Sequence, residues 1–484
     1  MGSMTRRTML KTAGTALVAG VLAPAANAWD SRPSNEKRRS QARHPKKIII
    51  AGAGLAGLCC GYELMMRGHE VVLLEATGRS GGHVKTIHDP LADGLYADVG
   101  AEHFAEQGYD RYWSYVREFN LTPIRCNESE NLIRFVKGKG YNAEAITDRK
   151  LLSEFGFNQK EIDFLAAGNW WDLKALYLAP YFDHFSDKYH PFAAGLNALD
   201  QITFSELSKK DGASPAAVER FGNAGSALNN VWHYAILKKR GVPAPPLAVY
   251  RLKGGNQVLP DTFAKKLGER VHLGAPVTAI ECGETGVRVR FREFAKESAM
   301  EADYLVCCMN AHMLRQIAVS PAWPESKAYA IHNVGYDMYS RVVFQSRSPF
   351  WLKDKESVNW VWADPNLSQL WRTAEDVETT RAALVGTALN GASADDALAA
   401  FRKLYPGKSE DIEQAVIHSW GDDPWARACE RVYSRPGELA RLWPAVTEPA
   451  GRVHFAGAYT DNLRWGMEAA CRSANRVAEE IGNA

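Results

Sequence analysis

Three glycines at a fixed spacing follow an apolar run near residue 50. Lys46–Ala51 is rich in Ile and is typical of a strand that is buried on both faces. Gly52, Gly54 and Gly57 come next at the G-x-G-x-x-G spacing, before a helix-like stretch that runs to Arg67. The first glycine permits a tight turn, the second lets a pyrophosphate approach the backbone, and the third lets helix and strand pack closely. The exposed N–H groups at such a helix start bind anions.

A second apolar strand strengthens this prediction. Glu70–Leu74 ends at Glu75, where a carboxylate can accept hydrogen bonds from an adenosine ribose. A lone glycine motif also occurs for packing alone, but strand, glycines, helix, strand and acid together predict a dinucleotide-binding unit. A glycine pair follows at Gly81 and Gly82, and the next residue is His83.

Composition limits the class of protein. The chain has 484 residues, of which 46% are hydrophobic and 24% charged, so it can form two or three domains around a large core. A formal net charge of +2 argues against nucleic acid as a partner. Eight cysteines include no C-x-x-C, and the adjacent pairs Cys59–Cys60 and Cys307–Cys308 lie in apolar contexts. We therefore expect packed thiols, no metal site and no disulfide framework.

The N-terminal residues concern targeting. Thr5–Lys11 resembles a twin-arginine export signal, and the apolar segment Ala13–Ala23 leads to a small-residue cleavage pattern at Ala26–Ala28. This apolar segment is short and contains glycine, so we expect no stable membrane span. We interpret 1–28 as a twin-arginine signal peptide and 29–46 as a basic tether, and we expect a periplasmic or secreted protein. A disordered basic tail is the alternative.

The remaining chain alternates between two kinds of structure. A helical, unusually aromatic block interrupts the nucleotide-binding pattern, which returns with the alternating "GVRVRF" and the apolar "ADYLVCCM", and again with the final strand, glycine turn and amphipathic helix. We therefore predict a nucleotide-binding domain built from three separate segments, 47–126, 242–330 and 431–484. The predicted substrate domain consists of a helical segment at 127–241 and a strand-rich segment at 331–430.

Further motifs give the chain a family resemblance. The opening unit, "GGNQVLP", "PVTAI", "WGDDPWA" and "HFAGAY…GMEAACRSANRVAEEI" occur in the order found in flavin amine oxidases, the family of monoamine, polyamine and L-amino-acid oxidases. The resemblance runs from about Lys46 to the C-terminus. It implies an α/β fold, with a Rossmann-like FAD-binding domain of the amine oxidase type that has a mixed sheet, and a helical substrate domain. The cofactor would be FAD, with the substrate in an aromatic cavity over the flavin.

Positions that match the family imply the cofactor contacts. Gly52, Gly54, Gly57 and Glu75 would hold the ADP half, and Val277 would contact the adenine through its backbone. The final helix, which opens near Gly466 and Met467, would direct its positive end at the flavin. The other implied cofactor positions are Gly82, His83 and Gly457.

His83 departs from the family pattern, which has Arg after the glycine pair. A histidine offers at most two donors and can be neutral at pH 7, whereas Arg is a fixed positive group. We expect flavin binding to survive this difference, because backbone N–H groups supply most of the anion recognition. His83 is interpreted as a residue near the flavin that is not a catalytic base, and simple packing is the alternative.

A second departure concerns the family's lysine that holds a water against the flavin. It lies nine residues before a Phe-Trp pair, and counting back from Phe350–Trp351 gives Arg341. An arginine cannot act as a base at working pH. It can orient water or bind a carboxylate with two parallel hydrogen bonds.

The third set of departures lies near the C-terminal end of the predicted cavity. Cys429 falls where monoamine oxidases carry a cysteine joined covalently to flavin, and we expect non-covalent FAD here because many relatives lack the bond. In the family, two aromatic residues flank the substrate amine. Glu430 stands at one of these positions here, and Trp465 is the nearest aromatic residue for the other.

The resemblance implies hydride transfer from the carbon beside the amine nitrogen to flavin. The imine would hydrolyse to keto acid and ammonia, and oxygen, as electron acceptor, would yield hydrogen peroxide. Glu430, Glu102 and His103 are the polar groups that we expect around the cavity. An acidic wall suits a cationic substrate and Arg341 suits a carboxylate, so the prediction is a small-molecule L-amino acid, including basic ones. A mutual Glu430–Arg341 pair is the alternative.

Other functions remain compatible with this sequence. Within enzymes, the alternatives are a monoamine or polyamine oxidase or dehydrogenase, and a carotenoid-type desaturase that acts on long apolar chains. Outside enzymes, the alternative is a flavoprotein that binds without turnover. The sequence leaves the oligomeric state open, with a homo-oligomer among the alternatives.

Overall fold

The computed structural model describes most of the chain after residue 41. The described residues are 42, 44–126, 133–136, 139–142, 144–168, 173–222, 225–242, 248–293, 296–354, 358, 366–429, 432–463 and 466–483. The predicted signal peptide and most of the predicted tether lie outside these ranges. Glu430 and Trp465, two of the predicted substrate-site residues, also lie outside them.

The strands of the described chain lie before residue 143 and after residue 248. They are β1 (Lys47–Ala51), β2 (Glu70–Leu74), β3 (Thr86–Ile87), β4 (Ala97–Asp98), β5 (Phe104–Ala105), β6 (Pro123–Cys126), β7 (Ile133–Val136), β8 (Lys139–Asn142), β9 (Val249–Leu252), β10 (Val271–His272), β11 (Val277–Cys282), β12 (Val287–Glu293), β13 (Lys296–Ala302), β14 (Tyr304–Cys307), β15 (Ala318–Ser320), β16 (Tyr339–Ser346), β17 (Gln369–Thr373), β18 (Ala382–Leu389), β19 (Ile412–Ser419) and β20 (Val453–Phe455).

Six of the α-helices lie between residues 149 and 239, and the others are distributed over the rest of the described chain. They are α1 (Leu55–Met66), α2 (Asp110–Glu118), α3 (Arg149–Glu154), α4 (Gln159–Ala166), α5 (Leu173–Leu178), α6 (Phe204–Lys210), α7 (Pro215–Phe221), α8 (Ala227–Lys239), α9 (Val258–Leu267), α10 (Ala311–Leu314), α11 (Glu325–Asn333), α12 (Phe350–Asp354), α13 (Ala394–Leu404), α14 (Leu439–Leu442) and α15 (Gly466–Asn483).

A five-stranded parallel sheet contains β1, the strand that precedes the three glycines. Its order is β10-β2-β1-β14-β20, and every pairing is parallel. Ile48 and Ile50 enter one hydrophobic core and Ile49 enters another, and all three are fully buried. Because both faces of β1 are covered, its sequence is a continuous apolar run. The predicted buried strand and the predicted α/β fold class are confirmed.

Helices α1 and α15 cover one face of this sheet and share one hydrophobic core with it. Gly61 allows this close packing, since a Cβ there would lie 3.0 Å from Leu73 Cδ1. Cys59 and Cys60 on α1 are fully buried free thiols, as is Cys307 at the end of β14. These three cysteines are therefore packed, as the sequence predicted.

A four-stranded antiparallel sheet of order β17-β18-β16-β19 carries Arg341. Alternate residues of β16 face opposite sides, because side chains alternate along a strand. Val342 and Phe344 pack with α13 in one core, whereas Val343 packs in another with residues 91–99 that follow β3. Arg341 lies on the Val343 side, so it faces the side of the sheet on which residues 91–99 pack.

The helical block has a strongly aromatic interior, as predicted. Tyr177, Phe204 and Trp232 are almost completely buried in its core. Its helix starts are defined locally: Asn158 and Thr203 each cap a helix, with a glutamate three residues later that completes a capping box. The predicted aromatic residues at 169–172 lie outside the described residues.

The "GVRVRF" segment forms β12 in a sheet of order β13-β12-β11-β15. Val287, Val289 and Phe291 are buried, while the intervening arginines are exposed. The predicted alternation of period two is therefore confirmed.

Among the described residues, no helix is long and apolar enough to span a membrane. The same residues contain no group of three or more His, Cys, Asp or Glu side chains arranged to hold a metal ion.

Candidate functional site

The three glycines of the turn after β1 are of two kinds. Gly52 and Gly57 are required by the fold, whereas Gly54 faces open space. Gly52 has a φ of +105°, and a Cβ at Gly57 would lie 1.9 Å from the Gly52 carbonyl oxygen. These two positions therefore require glycine for the turn itself. Gly54 has an ordinary φ of −67°, and a Cβ there would meet only Gly82 Cα, at 3.8 Å. Nothing within the described chain explains glycine at this position, which fits close approach of a ligand.

The glycine pair forms the opposite wall of this turn. Gly81 pairs with Gly54, its N–H donates to the Ala53 carbonyl at 2.8 Å, and Gly82 has a φ of +57°. Arg79 Nη2 donates to the Gly82 carbonyl oxygen at 2.6 Å, so it braces the loop. Sequence reasoning missed Arg79, although a lone arginine between Glu75 and the glycine pair was a usable signal.

Glu75 ties the end of β2 to the glycine turn. Its Oε2 accepts the Ala53 N–H at 2.7 Å, and its Oε1 accepts the Thr77 N–H and hydroxyl, both at 2.9 Å. A carboxylate has about four acceptor positions, so capacity remains for a sugar hydroxyl. The Ala275 N–H donates to the Glu75 carbonyl at 2.7 Å, which brings Val277 at the start of β11 close to the same corner.

The other predicted cofactor residues lie at the ends of β20 and α15. The Gly457 N–H donates to Ser473 Oγ at 2.9 Å, which ties the turn after β20 to the final helix. Gly466 opens α15, and a Cβ there would have no neighbour within 4 Å among the described residues. Met467 is instead buried in the core shared with α1, so its side chain belongs to the packing.

The His83 ring packs against Trp420, with ring centroids 4.0 Å apart and planes tilted by 40°. Burial lowers the pKa of His83 to about 4, and Asp423 and a hydrogen bond with the Ala428 backbone oppose this shift only in part. The ring is therefore neutral at pH 7, and it is poorly suited to act as a base there. This geometry favours the packing interpretation.

Trp420 is a site residue that sequence reasoning quoted within "WGDDPWA" without giving it a role. It is 1% exposed, and its Nε1 donates to the Val99 carbonyl at 2.7 Å. Its other neighbour is His418, with ring centroids 4.6 Å apart in a T-shaped arrangement. Burial, with Lys85 as the next influence, lowers the pKa of His418 to about 4. Trp420 thus lies between two neutral histidines.

Arg341 lies directly opposite both His418 and Thr387 in the sheet. Its guanidinium donates to Thr387 Oγ1, and its Cζ lies 4.7 Å from the ring centre of Tyr339 and 5.1 Å from that of Trp371. It is a buried cation, 8% exposed, held by aromatic faces and a hydroxyl. The aromatic contacts were not predicted.

Glu102 provides the counter-charge to Arg341. Its Oε2 lies 3.4 Å from Arg341 Nη2, and the Glu102 side chain is 4% exposed. Burial raises the pKa of Glu102 to about 7, and Arg341 and His103 oppose that rise. The ring of His103, the next residue, lies 5.7 Å from that of Trp371, with the planes tilted by 55°. The fold therefore brings the adjacent residues Glu102 and His103 close to Arg341, which is distant from them in sequence.

The predicted alternative pairing of Arg341 with Glu430 is not described, because Glu430 lies outside the described residues. Within the described residues, Arg341 is paired with Glu102, and a pair with Glu430 stays a prediction. Cys429 hydrogen-bonds to the start of the Arg341 strand and to the residues just before it: its N–H donates to the Asp337 carbonyl at 2.8 Å, and its Sγ lies 3.7 Å from the Tyr339 carbonyl oxygen.

A cavity of about 400 Å³ lies beside this paired segment. It is lined by residues 334–336 and 338, which precede β16, by 432–435, and by residues of α8, α11 and α14. Tyr336, Tyr433 and Trp443 give it aromatic walls. Its volume lies in the range of small-molecule sites, but Arg315 and Arg435 also line it, and Arg341, Glu102 and His103 do not.

The residues present fit a flavin dinucleotide. Among the described residues, no side chain caps the N-terminus of α1, so its first N–H groups are available to an anion, and Gly54 leaves room for phosphate beside them. Glu75 retains acceptor capacity for a ribose. A line of contacts leads from this cradle through Gly82, His83, Trp420 and His418 to Arg341.

Comparison with known proteins agrees with this geometry. The family described as "flavin containing amine oxidoreductase" matches residues 55–482. The L-amino-acid oxidase of Demansia vestigiata is 24% identical over 92% of this chain and 88% of its own length. The L-amino-acid oxidase of Bothrops moojeni is 25% identical over 92% of this chain and 91% of its own length.

Solved structures show the same fold. Cyclohexylamine oxidase from Brevibacterium oxydans superposes with a TM-score of 0.74 at 21% identity, covering 90% of this chain and 100% of its own. The family match spans most of the sequence, including the glycine pair, the Arg341 strand and the final helix. This chain therefore belongs to the flavin containing amine oxidoreductases, with FAD as its cofactor.

Proposed function

We propose that this chain oxidises L-amino acids and that Arg341 binds the substrate carboxylate. The observation that carries the proposal is a buried guanidinium held by Thr387 and two aromatic rings, beside a carboxylate that can exchange its proton. A simple amine has no carboxylate for this cation to bind. The relatives that are named L-amino-acid oxidases support the same substrate class.

The chain contributes geometry and charge to this reaction. FAD, when bound, accepts a hydride from the substrate α-carbon and passes the electrons to oxygen, which gives hydrogen peroxide. Arg341 would fix the carboxylate with two parallel N–H···O bonds, and so orient the carbon beside it. Tyr339 and Trp371 cover the guanidinium and exclude water from it, which strengthens the ion pair.

The proposal is tested by anaerobic mixing of the purified protein with a panel of L-amino acids and the amines obtained by removing their carboxylates. We expect L-amino acids to bleach the flavin and the matched amines to react much more slowly. Hydrogen peroxide, measured after air is admitted, identifies oxygen as the acceptor. Faster reduction by the amines would contradict the proposal.

We further propose that Glu430 favours amino acids with a basic side chain, because an acidic cavity wall attracts a cation. Glu430→Gln should slow flavin reduction by L-arginine and L-lysine while L-leucine and L-phenylalanine retain their rates. An equal loss for all four amino acids would assign Glu430 a different role.

We also propose export through the twin-arginine route, on the basis of Thr5–Lys11 and the cleavage pattern at Ala26–Ala28. A pathway that carries folded proteins suits a chain that binds its cofactor first. Arg6→Lys combined with Arg7→Lys should retain the flavoprotein inside the cytoplasm, as measured by cell fractionation and in-gel flavin fluorescence. Export of the double variant at the normal level would exclude this route.

A further inference from the structure

One oxygen of the Glu102 carboxylate has no assigned role within the fold. Oε2 faces Arg341 Nη2 at 3.4 Å, whereas Oε1 is buried and has no hydrogen-bond partner among the described residues. Leaving a buried acceptor unsatisfied is costly, and such groups in native structures usually await a ligand, water or proton. Oε1 is therefore a candidate for direct contact with substrate.

The charges around Glu102 come from four elements. Arg341 approaches from β16, Arg251 from β9 and Asp98 from β4, while His103 lies next to Glu102 in the loop before β5. The two arginines and His103 lower the pKa of the carboxyl and Asp98 raises it, but burial has the largest influence and brings the pKa to about 7. A carboxyl in this range can accept and return a proton near neutral pH.

The substrate class adds a second constraint. An α-amino acid near neutral pH is a zwitterion, so its two charges are complementary to a guanidinium and a carboxylate that lie 3.4 Å apart. Loss of hydride from the α-carbon requires the neutral amine, so the ammonium must first lose a proton. Burying an isolated ionised group would be costly, and the site must therefore remain neutral overall.

We propose that Glu102 Oε1 accepts the substrate's ammonium proton while Arg341 exchanges Glu102 for the substrate carboxylate. The inference rests on the proposed amino-acid function. One N–H bond of the substrate breaks, its electron pair stays on nitrogen, and one O–H bond forms on Glu102. The site holds a Glu102–Arg341 pair before binding and a carboxylate–Arg341 pair afterwards, so no net charge is buried.

This exchange predicts different proton counts for two kinds of ligand that cannot be oxidised. A carboxylic acid without the amino group brings no proton, so Glu102 must take one from solvent before Arg341 is released. An amino acid whose α-hydrogen is replaced by methyl brings its own proton. At pH 8 we expect uptake of about one proton for the first ligand and about none for the second.

The experiment begins with the amino acid that reduces the flavin fastest in the panel. For leucine, the ligands would be 4-methylpentanoate and α-methyl-L-leucine. Binding to the FAD-loaded protein is followed by titration calorimetry in two buffers of different ionisation enthalpy, which gives the number of protons taken up. No turnover is involved in this measurement.

Two variants locate the proton. Glu102→Gln should bind 4-methylpentanoate without proton uptake. Glu63→Gln is the matched control, because Glu63 is also buried and paired with an arginine, with 2.9 Å to Arg67, but lies on α1 within the core. This control should retain the wild-type proton counts.

Several results would overturn the inference. They are equal uptake for the two ligands in the wild-type protein, unchanged uptake in Glu102→Gln, and absence of binding by both ligands. If amino acids reduce the flavin but the two proton counts agree, only the role of Glu102 fails. If no amino acid reduces the flavin, the proposed function itself fails.

Discussion

The guanidinium of Arg341 lies 3.4 Å from the carboxylate of Glu102, and both side chains are at least nine-tenths buried. They are separated by 239 positions in sequence (341 minus 102) and belong to different regions of the fold. A buried ion pair is costly to desolvate and contributes little net stability compared with apolar residues of the same size. The pair is therefore better explained by substrate recognition than by folding.

Replacing Arg341 tests this explanation. Arg341→Ala should weaken the use of L-amino acids by on the order of 2–5 kcal/mol, because one side of a buried two-bond ion pair is lost. The matched decarboxylated amines never used this contact and should be affected much less. Rates of anaerobic flavin reduction give the comparison without interference from oxygen reactivity.

Arg381, which directly precedes β18 of the same sheet, provides the matched control. It forms ion pairs with Asp93 at 2.8 Å and Glu413 at 2.7 Å, but it is about one-third exposed. Exposed pairs are worth little, so Arg381→Ala should leave the preference for amino acids over amines unchanged. Equal losses for amines and amino acids in Arg341→Ala would instead assign Arg341 to water or flavin positioning.

The nucleotide-binding half of the site could be predicted because its signals are local. The spacing of Gly52, Gly54 and Gly57 fixes a turn, and Glu75 follows its strand directly, so short-range geometry determines where these groups lie. The Ile48–Ile50 run and the alternation of β12 likewise follow from strand periodicity.

The residues of the substrate half could be assigned only from positions that match the family. The contacts between them could not be predicted. The Arg341–Glu102 contact joins β16 to the loop before β5, and the Trp420 stack joins β19 to the glycine pair. Such contacts depend on how two sheets pack, which no local pattern specifies. Arg79 differs from these contacts. Its hydrogen bond with Gly82 is local, so it could have been predicted, but it was missed.

The glycine turn gives a second prediction. Gly54→Val should fold and lose FAD, since its backbone is already extended and its Cβ direction is open except for Gly82 at 3.8 Å. Gly57→Ala should instead destabilise the fold, because its Cβ would lie 1.9 Å from the Gly52 oxygen. Flavin absorbance per protein and thermal unfolding distinguish the two. A folded Gly54→Val protein with full flavin content would refute the assignment of the cradle.

Cys429 gives a third prediction, that FAD is released when the protein is precipitated with acid. The thiol lies 3.7 Å from the Tyr339 carbonyl oxygen, where it can act as a weak donor within the paired segment. The flavin should therefore appear in the supernatant of the wild-type protein and of Cys429→Ser in equal amounts. Flavin that stays with the wild-type precipitate but leaves that of Cys429→Ser would establish a covalent bond.

The final prediction concerns the pH dependence of stability. Burial lowers the pKa of His83 and of His418 to about 4, below the ordinary value of 6.5. The folded state thus binds fewer protons than the unfolded state, so this contribution to stability is present above pH 6.5 and is lost as the pH falls towards 4. Glu102 acts in the opposite sense, because its pKa is raised to about 7 and its stabilising contribution is lost as the pH rises from 4.5 towards 7.

Comparison with variants separates these opposing effects. His83→Gln and His418→Gln carry no titrating ring, so the unfolding temperature of each should fall less between pH 7 and pH 5 than that of the wild-type protein. Measurement on FAD-loaded protein by differential scanning fluorimetry gives both differences under identical conditions. His83→Gln should also retain its flavin, because backbone N–H groups supply the anion contacts. If the two variants lose as much stability as the wild-type protein over this range, the histidines are not held neutral by burial against Trp420.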